Sequence, residues 1–186
     1  MDKYKNNLLK TVIELSESKE WDEASKEWEL KESYICKDAT ETCVCGKVGI
    51  KDISVLRNIH NDNILHPIGN CCVKKFQNVE LIEDMNNAIE MYPLYDAVKN
   101  HQFIEFNRDF FSRKVLKILL ENGAFQPTVY NHDNPTADYN FLLRMFNKRN
   151  KDSIREWEHK KIRALLMTAI IPYVRQQITE MESKNV

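Results

Sequence analysis

The segment CVCGKVGIKDISVLRNIHNDNILHPIGNCC, from Cys43 to Cys72, constrains this chain more than any other stretch. It holds four of the five cysteines and three of the four glycines. Soft metals need thiolates gathered at one point, and tight turns need glycine. Cys43 and Cys45 form a first pair, and Gly46 relaxes the turn that lets both sulfurs face inward. Cys71 and Cys72 follow after 25 further residues. Two thiol pairs set apart in this way supply two edges of a tetrahedron, the geometry of structural zinc.

The residues between the pairs predict how the ends meet. Ile53 to Ile59 is rich in β-branched and apolar side chains, HNDN is a turn signal, and ILHPIG runs back. The spacing predicts a β-hairpin turning near His60–Asn63. GNCCVKKF then opens a helix, with Asn70 as its expected N-cap. A helix N-terminus lowers thiolate pKa values, which favours metal binding at the second pair.

Knuckle, hairpin and ligand-bearing helix, in that order, resemble a treble-clef zinc finger. The window is more closely similar to small proteins of phages, prophages and large DNA viruses. Those carry C-x-C-G, an extended segment with an Asn, and then V/I-G-x-x-C-x-x-K-F. The matching residues are Cys43, Cys45, Gly46, Asn58, Ile68, Gly69, Cys72, Lys75 and Phe76. The resemblance spans about 40 residues and implies a viral or mobile-element origin. This chain has C-x-C and C-C where a treble clef has C-x-x-C. In the phage pattern only the second of the adjacent cysteines recurs, which favours Cys72 over Cys71. Zinc is thus expected on Cys43, Cys45 and Cys72. The fourth ligand is open among Cys71, His60, His66 and Cys36.

The rest of the chain is plainer. With 42% apolar and 30% charged residues it is expected to be a folded, soluble α+β protein, mostly α. The expected plan is an N-terminal helix and strand over 1–42, a treble-clef-like zinc module over 43–80, and a helical body over 81–186. The first helix is expected over 3–17, and a strand begins after about Lys26. In the second half, Pro93 is expected to break a helix that resumes through Phe106. Asn107 caps a helix ended by Gly123, and YNFLLRMFNKR forms a short one. The longest starts at Asp152 or Ser153, carries Ile154, Trp157, Ile162, Leu165, Leu166, Ala169 and Tyr173 as its apolar stripe, and kinks or divides at Pro172. Fraying is expected after Met181.

No apolar run approaches the ~18 residues that span a bilayer, and MDKYKNNLLK lacks the apolar stretch of a secretory leader. A cytoplasmic setting is expected, the host's if the protein is viral, with no membrane partner. Clustered cysteines in that reducing compartment are metal ligands or reactive thiols more often than disulfides.

Charge alternates along the chain. Residues 43–76 sum to +3 and 142–186 to +5, against −4 for 1–42 and −5 for 77–141. Lys74, Lys75, Lys148, Arg149, Lys151 and Arg155 are the expected phosphate contacts. There is no Walker A loop, no G-x-G-x-x-G, no H-E-x-x-H and no deaminase signature, and no catalytic residue is assigned. The expected function is that of a non-enzymatic, zinc-binding accessory protein of phage or viral type that binds nucleic acid or a nucleoprotein complex. The alternative is a protein-binding inhibitor of a host defence system. It would present the early acidic residues Glu14, Glu17, Glu20, Asp22, Glu23, Glu27 and Glu29 to a nucleic-acid-binding host protein.

Overall fold

Alternating apolar residues and the HNDN turn zip the centre of the chain into a sheet, on which the first helix packs. A computed structural model describes residues 3–183. The chain divides into two compact units, one reaching Tyr92 and one beginning at Pro93.

In the first unit, helix α1 (Lys3–Leu15) and a short α2 (Trp21–Ala24) lead into strand β1 (Trp28–Ile35). Two short strands follow, β2 (Glu41–Thr42) and β3 (Val48–Ile50), paired antiparallel. Strand β4 (Asp52–Asn58) and β5 (Ile64–Gly69) form the expected hairpin, and β1 adds to the other side of β4. The antiparallel order is β1-β4-β5, with Leu56 opposite both Leu30 and Leu65. A bulge between Leu30 and Glu32 shifts the β1 register. The turn is held by Asn58, whose side-chain oxygen accepts the His60 and Asn61 N–H groups at 2.9 and 3.3 Å.

The core of this unit joins Leu8 and Val12 of α1 to Trp28, Ile53, Leu56, Leu65 and Ile68 of the sheet. It continues through Val73, Phe76, Leu81 and Met85. The 43–80 segment therefore does not stand as a separate module. Its strand β4 pairs with β1, and its apolar residues share one core with α1.

After β5 comes α3 (Asn70–Val73), a single turn, and then α4 (Val79–Lys99). Pro93 does not break α4 but lies inside it, at the border of the two units. The helix ends at Lys99, so Gln102–Phe106 are not helical as expected. Helix α5 (Arg113–Glu121) is capped by Ser112, which accepts the Val115 N–H at 3.0 Å. Asn107, the expected cap, instead accepts the Asp109 N–H in a local turn. Gly123 follows α5 at φ +77°, a left-handed position that favours glycine.

Helix α6 (Pro135–Asn147) is followed by α7 (Glu156–Leu165), a π-helical turn (Leu166–Ile170) and α8 (Ile171–Ser183). The α7 start is Arg155, with the Glu158 carboxylate accepting its N–H at 2.9 Å, rather than Asp152 or Ser153. Pro172 cannot donate to the Thr168 carbonyl, and the π turn just before it divides the long helix as expected. Trp157, expected on the apolar stripe, is half exposed against Phe141. The expected fraying concerns in part 184–186, which lie outside the described residues.

Candidate metal centre

The knuckle forms because Gly46 adopts φ +93°. Its N–H then donates to the Cys43 carbonyl at 2.6 Å, while the Cys43 N–H donates to the Lys47 carbonyl at 2.9 Å. From α1, the Asn7 amide donates to the Cys45 carbonyl at 3.0 Å and fixes the turn against the helix. The hairpin brings the other end back: the Val44 N–H donates to the Pro67 carbonyl at 2.9 Å. The next residues after β5 place Cys72 beside the knuckle.

The result is a cluster of three buried thiols. The sulfurs of Cys43, Cys45 and Cys72 all lie within 4.8 Å of one another. Those of Cys43 and Cys72 are 3.7 Å apart, and the Gly69 N–H donates to the Cys43 sulfur at 3.4 Å. Hydrogen bonding with Cys72 first, helped by the Cys45 and Gly69 N–H groups, brings the Cys43 thiol down to about 5 against the opposing effect of burial. The partner Cys72 is pushed up, by its hydrogen bond to Cys43 and then by burial. One negative charge is thus easily held, and further ones call for a cation.

The other candidate ligands go elsewhere. Cys71 is exposed and outside the cluster, because adjacent side chains at the start of α3 point apart. The His66 ring nitrogen Nε2 is hydrogen-bonded to the Tyr34 hydroxyl at 3.0 Å. His60 is exposed just after β4, at the hairpin tip. Cys36 is half-buried beside the Thr40 hydroxyl at 3.5 Å. Among the described residues no fourth His, Cys, Asp or Glu joins the three thiols.

The cysteines open on a cleft of about 210 Å³, also lined by Lys47, Lys51, Asp52 and Asn70. Asn70 is not the cap of α3; Gly69 holds that position. Instead the Asn70 amide donates to the Asp52 carboxylate at 3.2 Å, and its side-chain oxygen is buried without a partner. An orphaned acceptor beside three buried thiols is a donor set that fits a soft divalent cation and its hydration.

No family model matches the chain, and no curated protein or solved structure matches it either.

The expected phosphate contacts are dispersed. Lys74 is exposed and Lys75 half-buried in the turn after α3. Lys148 pairs with Glu158 at 3.0 Å, and Lys151 donates to the Met145 and Phe146 carbonyls at 2.9 and 2.8 Å, closing α6. Arg149 and Arg155 are exposed, without an ion pair among the described residues. Nearby, Lys160 and Lys161 are tied to Glu156 and Asp138. Of the early acidic residues, Glu27 is buried, and Glu14, Glu23 and Glu29 are paired with Lys10, Lys26 and Arg57. Among the described residues no helix is long and apolar enough to cross a membrane.

Phe103 and Arg108 were not singled out from the sequence. Both sit in the segment between α4 and α5 that was expected to be largely helical. The signal was the run HQFIEFNRDFF, whose aromatic residues do not keep one helical stripe.

Proposed function

We propose that this chain is a zinc-stabilised accessory protein of phage or viral type that binds nucleic acid through its basic segments. The buried cluster of Cys43, Cys45 and Cys72 carries the reading. Thiolate ligands at this density favour zinc among the common divalent cations. Zinc there would hold the knuckle to the start of α3 and supply structure, not a reaction. The order of knuckle, hairpin and helix supports a treble-clef-like description of this centre. Its remaining coordination position would go to a ligand from outside the triad.

The nucleic-acid part rests on charge. Lys47 and Lys51 line the cleft of the metal centre, and neither they nor Lys74 and Lys75 form an ion pair among the described residues. Such cations give contacts to phosphate that ignore base sequence and weaken with salt.

Elemental analysis of protein purified without added metal should find about one zinc per chain. Folded, metal-free protein with all thiols titratable would overturn the zinc reading. Retention on immobilised DNA at low salt, lost steeply as salt rises, is the expected result for the second part. Absence of retention would leave a protein partner as the better account.

A further inference from the structure

A second site lies in the unit that begins at Pro93. The segment between α4 and α5 borders a cavity of about 470 Å³, closed on its other sides by residues of α6, α7 and the turn between them. That volume falls in the range of about 300–1,000 Å³ typical of small-ligand sites. Its charge is unbalanced. Arg108, Lys151 and Arg163 line it, against a single carboxylate, Glu105. Neither Arg108 nor Arg163 has an ion-pair partner among the described residues. The Lys151 ammonium is fixed in place by two α6 carbonyls, so it is presented without conformational freedom to lose.

The cavity is also aromatic. Phe106 packs edge-on to Phe146 at 6.1 Å and against Phe111 at 5.0 Å, giving a firm wall. Phe103, by contrast, is 83% exposed at the same cavity. Its ring face is therefore open to a flat partner at the mouth of a cavity that also carries Arg108 and Arg163.

We propose that this cavity binds a nucleotide unit, its base stacked on Phe103 and its phosphate held by Arg108 and Arg163. One chemistry meets both features: a neutral π face adjoining a fixed negative charge. An acidic peptide satisfies the cations but leaves the ring bare. The inference rests on the nucleic-acid reading above and adds a second contact to the lysines named there. Free nucleotides and single strands offer the same unit, and competition separates them.

The test is fluorescence anisotropy of labelled oligothymidylate with the full chain at low salt. Phe103→Ala should weaken binding by about tenfold or more, and Phe103→Tyr should restore it. Arg108→Glu with Arg163→Glu should weaken it further and flatten the salt dependence. Far-ultraviolet circular dichroism checks that the exposed substitutions leave the fold intact. Thymidine monophosphate competing as well as the oligonucleotide identifies a free nucleotide as the ligand. Competition only at far higher concentration identifies a strand. If the parent binds and the Phe103 and arginine variants bind alike, the site is wrong and the nucleic-acid reading stands. If the parent binds neither the strand nor the nucleotide, both fall. Inorganic polyphosphate competing fully, with Phe103→Ala neutral, would reduce the cavity to a general polyanion patch and overturn the stacking site.

Discussion

Glu27 shows how one buried side chain can organise distant segments. One carboxylate oxygen accepts from the Glu17 N–H and the Asn58 amide at 2.8 and 2.7 Å; the other accepts from the Ser18 N–H at 2.8 Å. Burial raises its pKa, but the hydrogen bonds from Asn58, Ser18 and Glu17 outweigh it and leave the group below its ordinary value. A depressed carboxyl stabilises the fold above the unfolded pKa, and that contribution disappears as pH falls through the folded value. Glu27→Gln should therefore cost about 1.5–3 kcal/mol at neutral pH, in line with hydrogen bonds to a charged group. Urea unfolding at a series of pH values should show the gap to the parent closing in acid; a gap that ignores pH would refute the network. In the sequence Glu27 was one acidic residue among many, and Asn58 only a position in a motif. Their contact joins residues 31 apart, which no local pattern reveals. The cysteines were different: Cys43, Cys45 and Cys72 were legible because their chemistry and spacing have few other uses. Cys72 was favoured over Cys71 by the resemblance alone; the burial of one and exposure of the other separate them physically.

Elements were legible where the pattern was strong and obscure at their ends. The β4–β5 hairpin followed from β-branched runs and a polar turn. Helix starts did not, because several residues near each start can cap, and only backbone geometry chooses. Ser112, not Asn107, accepts the Val115 N–H. Ser112→Ala should lower stability by about 1 kcal/mol, and Ser112→Asp should recover most of it. Asn107→Ala should cost less, as thermal denaturation of the three variants would show. A larger loss at Asn107 would mean that the segment before α5 stabilises the helix more than its cap does. Proline was read too strictly. Pro93 removes the bond to the Ile89 carbonyl, a defect of roughly 3 kcal/mol in isolation. Helix α4 nonetheless continues, because Leu81, Met85, Met91, Leu94, Ala97 and Val98 are buried along it.

At the scale of the molecule, the three cysteines belong to the same core as α1 and the sheet. Disrupting the cysteine cluster should therefore loosen the whole first unit and not only the segment around the knuckle. The second unit has its own core, including Phe111, Leu116, Leu119, Leu142, Met145 and Ile170. In Cys45→Ser, hydrogen exchange should quicken through α1, β1, β4 and β5 while α5 to α8 keep their protection. Tryptophan fluorescence gives a second reading, since Trp28 is buried in the first unit with its indole N–H on the Ser16 hydroxyl at 3.0 Å. Equal acceleration in both units would show that the two fold as one. Sequence reasoning foresaw a cysteine-rich region and a helical region, but it drew the border inside the first core. Charge runs and motif edges set that line, whereas shared burial sets the real one.

The hairpin between Cys45 and Cys72 imposes an order of events on a newly made chain. Until β5 has paired with β4, the knuckle offers only a dithiol. Hairpins of this kind close in about 1–10 μs, once their residues have left the ribosome at about 5–20 per second. A cation reaching the nascent chain early would meet only this two-point site, from which it could leave again. If the triad holds a cation as proposed, Cys72 arrives last and completes the site, and a chain whose register had slipped would not retain the ion.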